Sequence, residues 1–311
     1  MPDLILHHYP TSPFAEKTRL MLGYKKLSWK SVMIPVVMPK PDLTALTGGY
    51  RKTPVLQIGA DIYCDTALIA DVLERLRPAP ALFPAEYAGL DRVLAQWADS
   101  TLFWTAVPYT MQPAGVAYIF GDAPPEQLKA FAADRAAFAP NVTRLRGGDA
   151  TGHVLAYAER INAMLAHGKP YLLGDAPCIA DFSVYHALWF VHRAPPMAAP
   201  LAGYTHIAPW MARMQAVGHG QSEKMSSADA LAVAAAGEPM ALPPFTGDLH
   251  GCAAGDRVSI TPTDTGHDPV EGELVISAPN EIAVRRNDPR AGNVVVHFPR
   301  IGFQMKKLVQ V

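Results

Sequence analysis

The sequence predicts three folding units in series: an α/β domain over residues 1–77, an all-helical domain over 88–236 and a small all-β domain over 240–311. Three observations predict it. In the first unit, short apolar runs of strand length alternate with segments whose apolar residues recur at helical spacing. From Ala88 to Ala236 only the helical period recurs. Beyond Gly237 the runs become short and β-branched, bounded by Gly, Pro, Asn and Asp. A chain of 311 residues, 50% apolar and 18% charged, has the material for a core in each unit.

Leu4-Ile5-Leu6 reads as a buried strand, and Pro13 to Gly23 as a helix carrying Phe14, Thr18, Leu20, Met21 and Leu22. A second strand, Trp29 to Ile34, leads through a Pro-rich connection, Pro35 to Pro41, into a short irregular helix around Asp42 to Leu46. Val55-Leu56-Gln57-Ile58 and Asp61-Ile62-Tyr63-Cys64 flank Gly59-Ala60 as a hairpin. Leu68, Ile69, Val72, Leu73 and Leu76 then repeat at helical spacing. The order βαβαββα is that of a thioredoxin-like domain. Arg77-Pro78-Ala79-Pro80-Ala81 cannot continue a helix and marks a linker.

Leu90, Val93, Leu94 and Trp97 start the helical domain at i, i+3, i+4, i+7 spacing. Helical patterns follow at 126–138, 151–166, 179–192 and 207–217, and 228–236 reads as the tail. In the last unit, Arg257 to Ile260, Gly272 to Ile276, Glu281 to Val284 and Asn293 to Phe298 read as strands of a small SH3-like barrel or sandwich.

Composition narrows the partners. The balance of 27 basic and 28 acidic residues gives no global field toward nucleic acid or a membrane surface. Arg285, Arg286, Arg290, Arg300, Lys306 and Lys307 suggest a basic face, yet residues 240–311 hold seven basic and eight acidic residues. Cys64, Cys178 and Cys252 lie far apart with no C-x-x-C spacing, which fits a reducing cytoplasm rather than a disulfide framework or zinc ribbon. The N-terminus lacks the pattern of a signal peptide, and no apolar run approaches ~20 residues, so a cytoplasmic protein with no membrane partner is expected. His7 and His8 on one strand face opposite ways, so no metal is expected there.

Ser12-Pro13 has two readings. Ser is a favoured helix cap and Pro a favoured first helical residue, which needs no chemistry. The same position also suits a thiolate. A helix N-terminus carries about half a positive charge, thiols placed there drop from a pKa of ~8.5 to between ~3.5 and ~7.5, and a hydroxyl donating to sulfur favours the charged form. Thr11 is the neighbouring alternative hydroxyl.

Ser12-Pro13-Phe14-Ala15-Glu16-Lys17-Thr18-Arg19 resembles the segment that carries the catalytic cysteine of omega-class glutathione S-transferases, and the Ser-Pro-Phe segment of the plant tau class. The resemblance covers roughly residues 3–220. It implies that Ser12 activates the glutathione thiol without reacting covalently and that Phe14 belongs to the same site. Serine in place of cysteine cannot form a mixed disulfide, which argues against thiol-transferase and dehydroascorbate-reductase chemistry. Thr53-Pro54 resembles the cis-proline segment of the family, which implies strand-like pairing of Thr53 with the cysteinyl part of glutathione. Asp65-Thr66 parallels the family's acidic-hydroxyl pair at the third helix, which implies a site for the γ-glutamyl end. Lys40, fourteen positions before Pro54, matches a glutathione-contacting lysine of the omega class and is expected at the glycyl carboxylate.

Gly174 to Phe182 is similar to the family's folding motif, with Cys178 where Ser or Thr is usual and Asp181 read as structural. The family also implies a homodimer and an apolar electrophile pocket, for which Trp97, Trp104 and Tyr109 are the candidates. The resulting expectation is a transferase using glutathione as co-substrate for conjugation, ether cleavage or dehalogenation. The alternative is a non-catalytic glutathione-binding protein whose C-terminal β domain binds a partner.

Overall fold

The computed structural model describes residues 3–308 apart from 88, 141, 144, 243, 244, 246 and 248–250; Ala88, the expected start of the helical domain, therefore lies outside the described residues. The first unit runs β1 (Ile5–His8), α1 (Pro13–Tyr24), β2 (Ser28–Met33), α2 (Pro41–Thr47), β3 (Val55–Ile58), β4 (Asp61–Cys64) and α3 (Thr66–Leu76). β1 pairs parallel with β2 and antiparallel with β3, and β3 turns back into β4. The two-residue period of a strand sorts its side chains. Leu4, Leu6, Leu56, Ile58 and Tyr63 join the core under α1 and α3, while Ile5, Val55, Ile62 and Cys64 join a second core on the opposite face.

The helical unit comprises α4 (Leu90–Trp97), α5 (Phe103–Thr110), α6 (Pro113–Phe120), α7 (Pro125–Phe138), α8 (Gly147–Leu165), α9 (Ile179–His192), α10 (Pro195–Ala198) and α11 (Ile207–Ala216). A single π-helical turn, Ala98–Leu102, joins α4 to α5. α9 is apolar on nearly all sides because it runs through the middle, against α1, α4 and α5. Asp181 starts it as expected: the carboxylate accepts the Cys178 N–H at 3.0 Å, the Leu172 N–H at 2.9 Å and the Trp210 indole N–H at 2.8 Å. Among the described residues no helix is long and apolar enough to cross a membrane.

After α11 the chain returns to the sheet, which the sequence did not announce. It passes α1 so closely that a Cβ on Gly23 would lie 2.0 Å from the Gly218 carbonyl oxygen. β5 (Gln221–Met225) then pairs parallel with β2, and α12 (Ser227–Ala236), read from sequence as the tail of the helical domain, covers the face opposite α1 and α3. Ala230, Leu231 and Ala234 are its buried residues. Gln57 fixes it in place by donating to the Ala230 carbonyl at 2.8 Å while its side-chain oxygen meets His7 Nε2 at 2.8 Å.

The all-β unit is present as β6 (Arg257–Pro262), β7 (Val270–Ser277), β8 (Glu281–Asp288), β9 (Gly292–Pro299) and β10 (Phe303–Lys307), antiparallel throughout in the order β10-β6-β7-β8-β9. It does not stand apart. β9 pairs parallel with β4, Ile62 opposite Val296, so one ten-stranded sheet runs from β10 to β5. His297 closes this seam. Its Nε2 lies 3.0 Å from Asp61, its Nδ1 lies 2.7 Å from Glu281, and its ring stacks on Tyr63 at 4.5 Å. With a carboxylate at each ring nitrogen, the imidazolium is the form that donates to both.

Candidate functional site

Strand register gathers the sequence-predicted residues. His7 lies opposite Val55, and Val55 opposite Cys64, so the chain after β1, before β3 and after β4 emerges at one end of the sheet. Ser12, Thr53-Pro54 and Asp65-Thr66 stand on those three exits.

Ser12 is extended, with φ −77° and ψ 122°, and its Oγ accepts the Ala15 N–H at 3.2 Å with Pro13 in the first helical turn. That satisfies one otherwise unpaired donor of α1. The bond occupies a lone pair, and among the described residues no acceptor takes the hydroxyl proton. Cap and sulfur donor are therefore compatible roles for one side chain. Ser12 is only 2% exposed. Thr11 is exposed, and its carbonyl accepts from Arg193 at 3.0 Å.

The Thr53–Pro54 peptide is cis. Lys40 caps α2 without a side-chain hydrogen bond to the helix and instead reaches Thr53 Oγ1, 3.3 Å from Nζ. Its ammonium lies 5.5 Å from the Tyr9 ring centre, and the residue is 4% exposed. Burial brings its pKa down to about 8, helped by the like charges of Arg135 and Arg51 and opposed by Asp134. Arg51 and Arg135 both grip Asp134, at 2.9 and 2.8 Å, and Arg135 Nε is buried without a hydrogen-bond partner among the described residues. Two guanidinium groups thus share one largely buried carboxylate within electrostatic reach of the Lys40 ammonium, with Asp268 3.8 Å from Arg51 at the edge. Such a cluster is chemically suited to an anion.

Asp65 has φ 77° and ψ 137°, a conformation that costs a non-glycine residue about 1–3 kcal/mol and collects at functional sites. Its Oδ1 accepts the Ala67 N–H at 2.9 Å, and burial pushes its carboxyl up. Thr66 is buried and accepts a hydrogen bond from Lys17 Nζ at 3.2 Å.

The sequence reading missed that Lys17. It is fully buried, with Nζ 2.6 Å from Asp99, whose other oxygen lies 2.9 Å from His186 Nε2. Burial pushes the Asp99 carboxyl up, but Lys17 and His186 outweigh it and hold the group below its ordinary value. The signal was available: Lys17 falls three residues after Phe14 and four before Met21, on the apolar face of α1. Asp134 and Arg135 were missed because α7 is far away in sequence, and Arg51 because its partner Asp134 lies there.

The remaining candidates separate. Phe14 packs into the domain interface, 4.7 Å from Phe103 and 4.5 Å from His186 between ring centres. Trp97 is half-buried with its edge on Tyr157, and Trp104 is half-buried beside Phe103. Tyr109 is 1% exposed and donates its hydroxyl to the Met197 carbonyl at 2.7 Å, which places it in the core rather than on a pocket wall. Cys64 points to the face away from the helical unit, and burial raises its thiol well above the ordinary value.

The site thus sits on a thioredoxin-like domain whose first helix is capped by serine and whose third strand follows a cis-proline, joined to a helical domain. Residues 6–81 match the glutathione S-transferase N-terminal domain and residues 70–213 the glutathione S-transferase C-terminal domain. A GST-like protein from Pseudomonas syringae is 44% identical, with a TM-score of 0.83 over 99% of this chain and 100% of that one. The theta class glutathione S-transferase from the citrus canker pathogen Xanthomonas axonopodis pv. citri, solved with glutathione bound, is 21% identical with a TM-score of 0.50 over 68% of this chain and 92% of its own. FtsZ-localized protein A of Caulobacter vibrioides is 29% identical over 100 residues, so the match spans 30% of this chain and 43% of that protein. The chain belongs to the glutathione S-transferase family.

Proposed function

We propose that this protein binds glutathione at the common exit of β1, β3 and β4 and activates its thiol for attack on an apolar electrophile. The hydroxyl proton of Ser12 at the N-terminus of α1, which no acceptor takes among the described residues, carries this reading. A sulfur placed there receives that hydrogen bond and the positive end of the helix, both of which favour thiolate over thiol. Lys40 holds the glycyl carboxylate, Thr53 the cysteinyl backbone, and Asp65 with Thr66 the γ-glutamyl end. The thiolate then adds to an electrophilic carbon, or displaces a halide or an aryl ether oxygen with its electron pair. Trp97 and Trp104, both half-buried, are the candidates for the electrophile pocket on the helical side, whereas the fixed hydroxyl of Tyr109 gives it a packing role.

A second reading is a glutathione-binding protein without turnover. The five added strands favour it, as does the local similarity to a protein named for its localization with FtsZ. Ultraviolet titration of bound glutathione separates the two. A thiolate signal near neutral pH that disappears in Ser12→Ala supports the enzyme, and binding with an ordinary thiol pKa supports the module. A panel of halides, epoxides, enones and aryl ethers then identifies the electrophile.

A further inference from the structure

α2 and the segment after it form half of the proposed glutathione platform, since they carry Lys40 at one end and Thr53 at the other. α2 has only seven residues and no side-chain hydrogen bond at its N-cap, too little to hold its own position. Its anchors come from the far end of the chain. Asp42 pairs with Arg290 and also accepts the Ser227 hydroxyl. Arg286 donates to the Ala45 carbonyl at 3.3 Å. The guanidinium lies so close that a Cβ on Gly48, which already has φ +79°, would meet Arg286 Nε at 2.5 Å. Leu43 and Leu46 are buried in the same core as Val258, Ile260, Val294, Val296 and Phe298. Past α2, Tyr50 packs on Phe298 and Phe303, 5.9 and 6.2 Å between ring centres. Lys52 pairs with Asp264 and lies 5.6 Å over the Phe303 ring.

We propose that the C-terminal β unit is a built-in brace that sets glutathione affinity by fixing α2 and residues 50–53, with Arg286 and Arg290 as positioning residues. The proposal rests on the glutathione reading. The brace acts on the carboxylate end and leaves Ser12, on the other side of β1, untouched. It therefore predicts a split between affinity and thiol activation.

The test uses the full chain. Glutathione affinity by calorimetry, the thiolate titration of bound glutathione, and amide exchange over residues 41–53 are compared for wild type, Arg286→Ala/Arg290→Ala, Arg290→Lys and Lys307→Ala. The double variant removes one partly exposed ion pair, Arg290–Asp42, and the Arg286 hydrogen bond to the Ala45 carbonyl, so it should bind roughly five- to tenfold more weakly. Exchange over 41–53 should quicken while the thiolate pKa stays at the wild-type value. Arg290→Lys should recover part of the Arg290 contribution, and Lys307→Ala, whose partner is Asp256, should behave as wild type. Unchanged affinity and unchanged exchange in the double variant overturn the brace, and so does a loss of affinity that Lys307→Ala reproduces. If wild type itself does not bind glutathione, the functional reading fails, and exchange over 41–53 alone decides whether the brace exists.

Discussion

Lys40→Met should make the ligand-free protein more stable while removing most of its affinity for glutathione. The ammonium is buried with one hydroxyl partner 3.3 Å away and two guanidinium groups as neighbours, and its pKa falls from 10.5 to about 8. That fall corresponds to about 3 kcal/mol of cost in keeping the side chain charged. Methionine relieves the cost and keeps the length of the chain. It forfeits a hydrogen bond worth about 1 kcal/mol and a cation–π contact worth about 0.5–1 kcal/mol. The net gain is about 1–2 kcal/mol, a rise in Tm of about 2–5 °C.

The sign with pH follows from the lowered value. The folded chain gives up the Lys40 proton near 8 and the unfolded chain near 10.5, so the penalty is complete below about 8 and fades as pH climbs through that window. The Tm advantage of the variant should therefore shrink between about pH 8 and 10. Bound glutathione reverses the ranking, because truncating one side of a buried charge pair costs about 2–5 kcal/mol, at least 30-fold in affinity. Differential scanning calorimetry with and without glutathione reads both effects. A ligand-free Tm that falls in Lys40→Met, or an affinity that does not change, would refute the assignment of a strained cation kept for an anionic ligand.

Three further outcomes are expected. Burial pulls the His297 pKa down, but Asp61 and Glu281 outweigh this and hold it above 6.5, while burial pushes Glu281 up and His297 outweighs that to hold it low. The β4–β9 seam should lose protection as pH rises through the His297 value and again as it falls through that of Glu281; amide protection that stays flat from neutral to alkaline pH counts against the imidazolium clamp. Asp99→Asn leaves Lys17 charged and buried, so about 3–5 kcal/mol of stability should vanish in denaturant unfolding. Tyr109→Phe removes the hydrogen bond to the Met197 carbonyl and should cost about 1 kcal/mol with no change in the KM of any electrophile; a changed KM would return Tyr109 to the pocket.

Much of this was legible in the chain because it is local. Ser-Pro opening a helix, the Gly59-Ala60 turn between two apolar runs, and Asp181 three residues after Cys178 each signal through neighbours. What failed was non-local. β5 and β10 went unassigned because Gln-Ser-Glu-Lys-Met and Phe-Gln-Met-Lys-Lys are polar edge strands, where charge guards an open ladder instead of filling a core. The pairing of Ile62 with Val296 joins segments far apart in the sequence, and no local pattern encodes it. For the same reason the β unit looked independent, and Asp134 and Arg135 of α7 were not connected with Lys40. The family resemblance offered Trp97, Trp104 and Tyr109 as pocket candidates, but aromatic residues in a helical segment carry no information on which reach a core and which a pocket.

The most direct test is a crystal structure of the full chain with glutathione. The account predicts the sulfur within about 3.5 Å of Ser12 Oγ, the glycyl carboxylate against Lys40, and the γ-glutamyl end at the N-terminus of α3. A peptide bound with its sulfur turned away from α1, or a cleft that stays closed at saturating glutathione, would contradict it.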